Sequence, residues 1–87
     1  MKIQTEAFLL GVTEIHSSKT NKDFLKFSFV LEGDCVNFFT SKSYGEPFTK
    51  KKCFAELAKT HAPQKCVIVV ELRFTEKGIF ADLREVE

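Results

Sequence analysis

The stretch that most constrains this chain is residues 24 to 31, FLKFSFVL, in which side chains alternate in character without a break. A period of two puts Leu25, Phe27, Phe29 and Leu31 on one face and Phe24, Lys26, Ser28 and Val30 on the other, the pattern of a half-buried strand with a mixed outer face. Glu32-Gly33-Asp34 follows as a short turn whose glycine can take positive φ. Residues 35 to 42, CVNFFTSK, are therefore expected to return antiparallel, with Val36, Phe38 and Thr40 on one face and Asn37, Phe39 and Ser41 on the other.

The rest of the chain arranges itself around this hairpin. Residues 3 to 15 read as a long strand interrupted by Gly11, and a glycine inside a strand pattern signals a bulge that changes which side chains face in. His16 to Asp23, HSSKTNKD, has no large apolar residue and reads as an exposed loop. After a break at Ser43 to Pro47, Phe54, Leu57, Ala58 and His61 recur at i, i+3, i+4 and i+7, which predicts one helix of about three turns ending before Pro63. Residues 65 to 74, KCVIVVELRF, predict a strand with Cys66, Ile68, Val70, Leu72 and Phe74 inward. A turn at Thr75 to Gly78 leads to a last strand with Ile79, Ala81 and Leu83 on one face.

The order is three strands, a helix, then two strands, within 87 residues and 9.9 kDa, enough chain for one domain spanning residues 1–87. That order is the one found in the OB-fold, a five-stranded Greek-key barrel, mainly β, with one helix between strands 3 and 4. An SH3-like barrel is the rival architecture, and it does not ordinarily need a helix of this length before its last two strands. The longest apolar run, Ala7 to Val12, is too short for a membrane span, which takes about 20 residues. A cytoplasmic protein with no membrane partner is expected. Cys35, Cys53 and Cys66 are odd in number and contain no CxxC pair, so reduced, mostly buried thiols are expected in place of a disulfide framework or a zinc site.

Two features of composition bear on function. Ten Phe is more than a core of this size needs. The net charge is only +1, but residues 16 to 52 hold seven Lys against four acids, leaving −2 for the remainder. On the predicted strands, these aromatics and cations interleave. Phe24 and Lys26 fall on the outer face of the second strand, Phe39 on that of the third, Lys42 at its end and Tyr44 just beyond, while Lys19 and Lys22 lie in the first loop. Bases stack on exposed aromatics and lysines follow phosphates, so this set is the candidate binding platform. The competing reading puts the outward Phe residues under the helix or in a dimer interface and leaves the lysines merely solvated.

Lys50-Lys51-Lys52 stands at the predicted helix start, where the macrodipole disfavours cations. A solvated face is the simpler reading for that run, with phosphate contact as the alternative. His16 and His61 have no partner at a recognisable metal or catalytic spacing, Cys53 has no visible base, and no phosphate-cradling glycine cluster or hydrolase motif occurs. No catalytic residue, cofactor or metal ligand is expected.

The stretch GVTEIHSSKTNKDFLKFSFVL and the ending KGIFADLREVE, together with the length and strand order, resemble the small OB-fold single-stranded-DNA-binding proteins of filamentous phages and related mobile elements. Such proteins place a basic first loop before an aromatic-bearing second strand, matched in type by Lys19, Lys22, Phe24 and Lys26. The resemblance implies a homodimer that coats single strands cooperatively, and the leading expectation is a protein that binds single-stranded DNA or RNA without catalysis. The chain departs from the smallest members in carrying a helix between strands 3 and 4. The reading from another class is a protein-interaction adaptor that uses the aromatic face and the strand edges.

Overall fold

The computed structural model describes all 87 residues. Five strands form one antiparallel sheet: β1 (Lys2–Ser17), β2 (Lys22–Leu31), β3 (Asp34–Ser41), β4 (Gln64–Thr75) and β5 (Gly78–Val86), in the spatial order β3-β2-β1-β4-β5. Between β3 and β4 lie a single turn, α1 (Lys42–Gly45), a 3-10 segment (Glu46–Lys50) and a longer helix, α2 (Lys52–Thr60).

The long first strand is central because it serves two partners in succession. Residues 2–9 pair with β4 and residues 8–17 with β2, and the register shifts between Leu9 and Gly11. Before the shift the odd positions Ala7 and Leu9 are buried; after it, Val12 lies opposite buried Phe27 and Glu14 opposite buried Leu25. The glycine of the first strand thus marks the face switch expected of a bulge. A Cβ at Gly11 would meet no atom within 4 Å, so the irregular register and not crowding distinguishes this position.

The β2–β3 hairpin has the expected register. Phe27 faces Phe38, Phe29 faces Val36, and Glu32 and Gly33 turn the chain with φ of 51° and 86°. Positive φ at both central residues matches the primed turn whose twist suits two-residue hairpins. The core then forms between the sheet and the helices. Phe27 and Phe29 are fully buried; the rings of Phe48 and Phe54 each stand edge-on to Phe27 at 5.9 Å, and Phe38 stands 6.0 Å from Phe29. Edge-to-face pairs of this separation add about 0.5–1.5 kcal/mol beyond area burial.

Several expectations are corrected. The sheet is open: β3 and β5 come close, but no ladder joins them, so the chain is an antiparallel sheet curled towards a barrel and not a hydrogen-bonded closed one. The single three-turn helix is instead a short turn, a 3-10 segment with Pro47 at its second position and the nine-residue α2, which His61 ends in the left-handed conformation with φ of 55°. His61 is thus a helix terminator and not a member of the buried face. The exposed loop expected over residues 16–23 shrinks to Ser18–Asn21, since the strands extend to Ser17 and from Lys22.

Phe74, expected inward, and Ile79, expected on the face of Leu83, are 64% and 66% exposed, because the tip of the β4–β5 hairpin projects past the core with nothing packed over it. In β5 the register shifts opposite Val69 and Val70, so Leu83 and Val86, three positions apart, both point into the core. Strict alternation from Ile79 cannot anticipate that, because a bulge adds one residue to one strand only. Arg84 is the residue left over.

One close approach sets a sharp constraint. Gly45 is buried where a Cβ would overlap Thr40 Oγ1 and stand 2.9 Å from the Phe27 ring. Gly45→Ala is expected to destabilise the domain by about 1–3 kcal/mol, as overpacking does. A denaturant midpoint equal to that of the unchanged protein would show that α1 can move away from β3 without cost.

Candidate functional site

Register places the candidate residues on the outer surface. Lys26 lies directly opposite Phe39, and Phe24 opposite Ser41. On the other side of β2, Phe24 meets Ile15 and Lys26 meets Thr13 of β1. Because alternate residues of a strand share a face, Phe24, Lys26 and Phe39 form one contiguous patch. Phe39 is 60% exposed, whereas Phe24 and Lys26 are half-buried by their neighbours. One row further along, Ser28 donates to Asn37 Oδ1 at 2.8 Å, a cross-strand polar step at the patch border.

Lys19 lies in the exposed β1–β2 turn and Lys22 opens β2. Lys19, Lys22 and Lys26 make no ion pair, so their charges are available to a ligand. Beside them, His16 Nδ1 and Asp23 Oδ1 pair across the hairpin at 2.7 Å, which gives His16 the partner that linear spacing had hidden.

Lys42 does not join the patch. It begins α1, and its Nζ lies 2.6 Å from Glu14 Oε1. The hydrogen bond that Lys42 donates to Glu14, reinforced by the carboxylate's charge, raises the pKa of the Lys42 ammonium above the ordinary lysine value. The bulge explains the pairing, since it turns Glu14 to the side that Lys42 occupies. Lys42 is therefore ion-paired to Glu14, and it shares a polar depression with Lys22 at the start of β2.

Tyr44 joins from the other side. Its ring stands 5.6 Å edge-on to Phe48, and with Phe39 it lines a shallow depression of about 210 Å³ at the seam between β3 and β5. Asp82 and Arg84 of β5 complete the rim, and neither was singled out from sequence. Arg84 Nε donates to Glu71 Oε1 at 2.8 Å, its Nη1 lies 3.4 Å from the Tyr44 hydroxyl, and its guanidinium carbon stands 5.9 Å from the Tyr44 ring centre. These contacts, Tyr44 first and Glu71 second, raise the Arg84 pKa further.

Asp82 binds Arg73 through both carboxylate oxygens, and that hydrogen bond holds its pKa below the usual carboxylate range. Arg73 also covers the ring of exposed Phe80 at 5.6 Å. The alternation of Phe80, Asp82 and Arg84 in the sequence was the available signal for this second half of the surface, but only the curl of the sheet brings it to Phe39.

The Lys50-Lys51-Lys52 run straddles the junction of the 3-10 segment and α2; Lys51 is the N-cap of α2 and its Nζ lies 3.6 Å from Glu87 Oε1. The run lies outside the seam depression and the β2–β3 patch.

Elsewhere the reactive groups are arranged for packing. Cys53 and Cys66 are buried, and Cys66 Sγ donates to the Ala7 carbonyl at 3.5 Å. Burial pushes the Cys66 thiol up to about 11 and raises that of Cys53, while Cys35 is exposed at the start of β3. No group of three or more His, Cys, Asp or Glu side chains is placed to hold a metal ion, and no helix is long and apolar enough to cross a membrane. No protein-family model, curated protein or solved structure matches the chain.

The raised thiols carry a sign for stability. Between the ordinary thiol pKa of 9.0 and about 11 the unfolded chain gives up the Cys66 proton before the folded one does, so it binds fewer protons and stability falls as pH rises through that window. Unfolding titrations from pH 8 to pH 11 are expected to show this loss, and Cys66→Ala should flatten it relative to the unchanged protein. An equal slope in both would place the alkaline sensitivity elsewhere.

Proposed function

We propose that this chain binds single-stranded nucleic acid, DNA in the first place, without catalysing a reaction, and that its curled sheet is an open form of the OB-type barrel. The observation that carries the reading is the outward triad of Phe24, Lys26 and Phe39 on β2 and β3, continued by the unpaired Lys19 and Lys22 at the hairpin. Six of the ten Phe residues are buried or half-buried, whereas Phe8, Phe39, Phe74 and Phe80 remain exposed. An exposed ring on a charged strand surface is well used when a base stacks on it, at about 1–3 kcal/mol per base, while lysines match the phosphate repeat and displace counterions. Stacking and phosphate contact are tolerant of sequence, so little preference follows from this part of the surface.

The resemblance to the single-stranded-DNA-binding proteins of phages and mobile elements points the same way and adds a cytoplasmic homodimer to the proposal. A specific observation also favours the adaptor reading. Ile3, Leu31, Val36, Phe38, Val70, Leu72 and Ala81 line an apolar cleft of about 350 Å³ at the open end of the sheet, near the exposed rings and chains of the β4–β5 tip. Apolar surface of this kind suits a protein partner or a second copy.

Titration of fluorescent oligo-dT at two salt concentrations separates the readings. Binding is expected to weaken with salt with a log-log slope of about 0.7 per phosphate neutralised. Phe39→Ala should weaken binding by about 1–3 kcal/mol and leave the thermal midpoint within a few degrees, because the ring is removed from the surface and not from the core. Lys26→Ala should lower both affinity and slope. No binding at micromolar protein would sink the nucleic-acid reading and leave the adaptor.

A further inference from the structure

The seam between β3 and β5 has a chemistry different from that of the lysine-bearing patch beside it. Phe39 and Tyr44, 60% and 44% exposed, supply flat apolar surface in one depression. Arg84 and Asp82 form a polar rim whose charges are already balanced by Glu71 and Arg73. A phosphate gains little at such a rim, because the carboxylate of Asp82 opposes it. The polar edge of a base fits better.

The groups at the rim are held in place and still have capacity. Arg84 is the extra residue of the β5 bulge, and bulges re-aim side chains. Of its five N–H groups, Nε is used by Glu71 and one on Nη1 by Tyr44, while Nη2 stands 3.6 Å from Asp82, beyond hydrogen-bond length. Asp82 is ionised and therefore only accepts; its two oxygens receive Arg73 but retain further lone pairs. Donors and acceptors thus line one depression with two aromatic rings.

Resting on the reading of the chain as a single-strand binder, we propose that this depression reads one base of the bound strand and that the base is guanine. The guanine edge offers an acceptor, O6, followed by two donors on N1 and N2. Arg84 supplies a donor for O6, one of the two guanine acceptors that arginine commonly bonds, and Asp82 accepts from the N–H groups on N1 and N2. Thymine presents one donor between two acceptors and leaves Asp82 with a single bond and an opposed carbonyl. The strand then runs from the lysines of the β1–β2 hairpin across Phe24 and Lys26, and ends its contact at the seam, where the one base-selective step occurs.

The test compares dT12 with dT12 carrying a single central dG, dC or dA, each labelled with fluorescein and titrated by anisotropy. The dG-bearing strand is expected to bind the unchanged protein several-fold to about a hundredfold more tightly than dT12. Asp82→Ala and Arg84→Met should each bring that ratio close to one. The ratio is the readout because removing one charge shifts the affinity for every oligonucleotide together, and thermal melts of both variants establish that they fold. Equal binding of all four strands by the unchanged protein, a stronger preference for dC or dA, or a guanine ratio that survives both substitutions would overturn the proposal while leaving the single-strand reading intact. Binding of none of the four would overturn both.

Discussion

The bulge between Leu9 and Gly11 is the constraint on which the rest depends. One strand forms both central ladders, with β4 through its first half and with β2 through its second. A regular strand would keep the odd positions inward throughout, which would bring Thr13 and Ile15 to the core side and send Val12 and Glu14 out. The register shift reverses that choice without breaking the strand. Leu9 can then pack in the core while Glu14 reaches Lys42, and the second half of β1 bends with β2 over the helices. The curl that brings β3 near β5 starts there.

Much of this was legible because the side-chain period of a strand is short and local. The alternation in FLKFSFVL and CVNFFT gave the inward and outward sets of β2 and β3 correctly, and Glu32-Gly33 fixed the register between them. Gly11 announced the bulge. What failed was whatever depended on a second irregularity or on distance. The β5 bulge has no glycine to mark it, so Arg84 and Val86 were assigned no special place. Phe74 and Ile79 fit the alternation but lie beyond the reach of the core, and alternation says which face a residue takes without saying whether anything covers that face.

The candidate site divides in the same way. Phe24, Lys26 and Phe39 are neighbours through local pairing, which the hairpin dictates. The ion pair of Lys42 is invisible to local pattern because its partner, Glu14, lies 28 positions earlier and faces it only after the first bulge. Tyr44 belongs with Arg84, separated by 40 positions, and no local pattern relates them. The polar half of the surface is an outcome of the curl that brings β5 near β3.

The missing ladder between β3 and β5 bears on motion. Every other strand boundary in the sheet is held by backbone hydrogen bonds, whereas this one relies on side chains packed across it. Separating the two edges therefore breaks no interstrand backbone bond, and local opening draws on the regions held by the fewest such bonds. The sheet has a built-in parting line. Its amides should be the first to exchange with solvent deuterium, and the same unpaired N–H and C=O rows would let another extended chain add to either edge as a further strand.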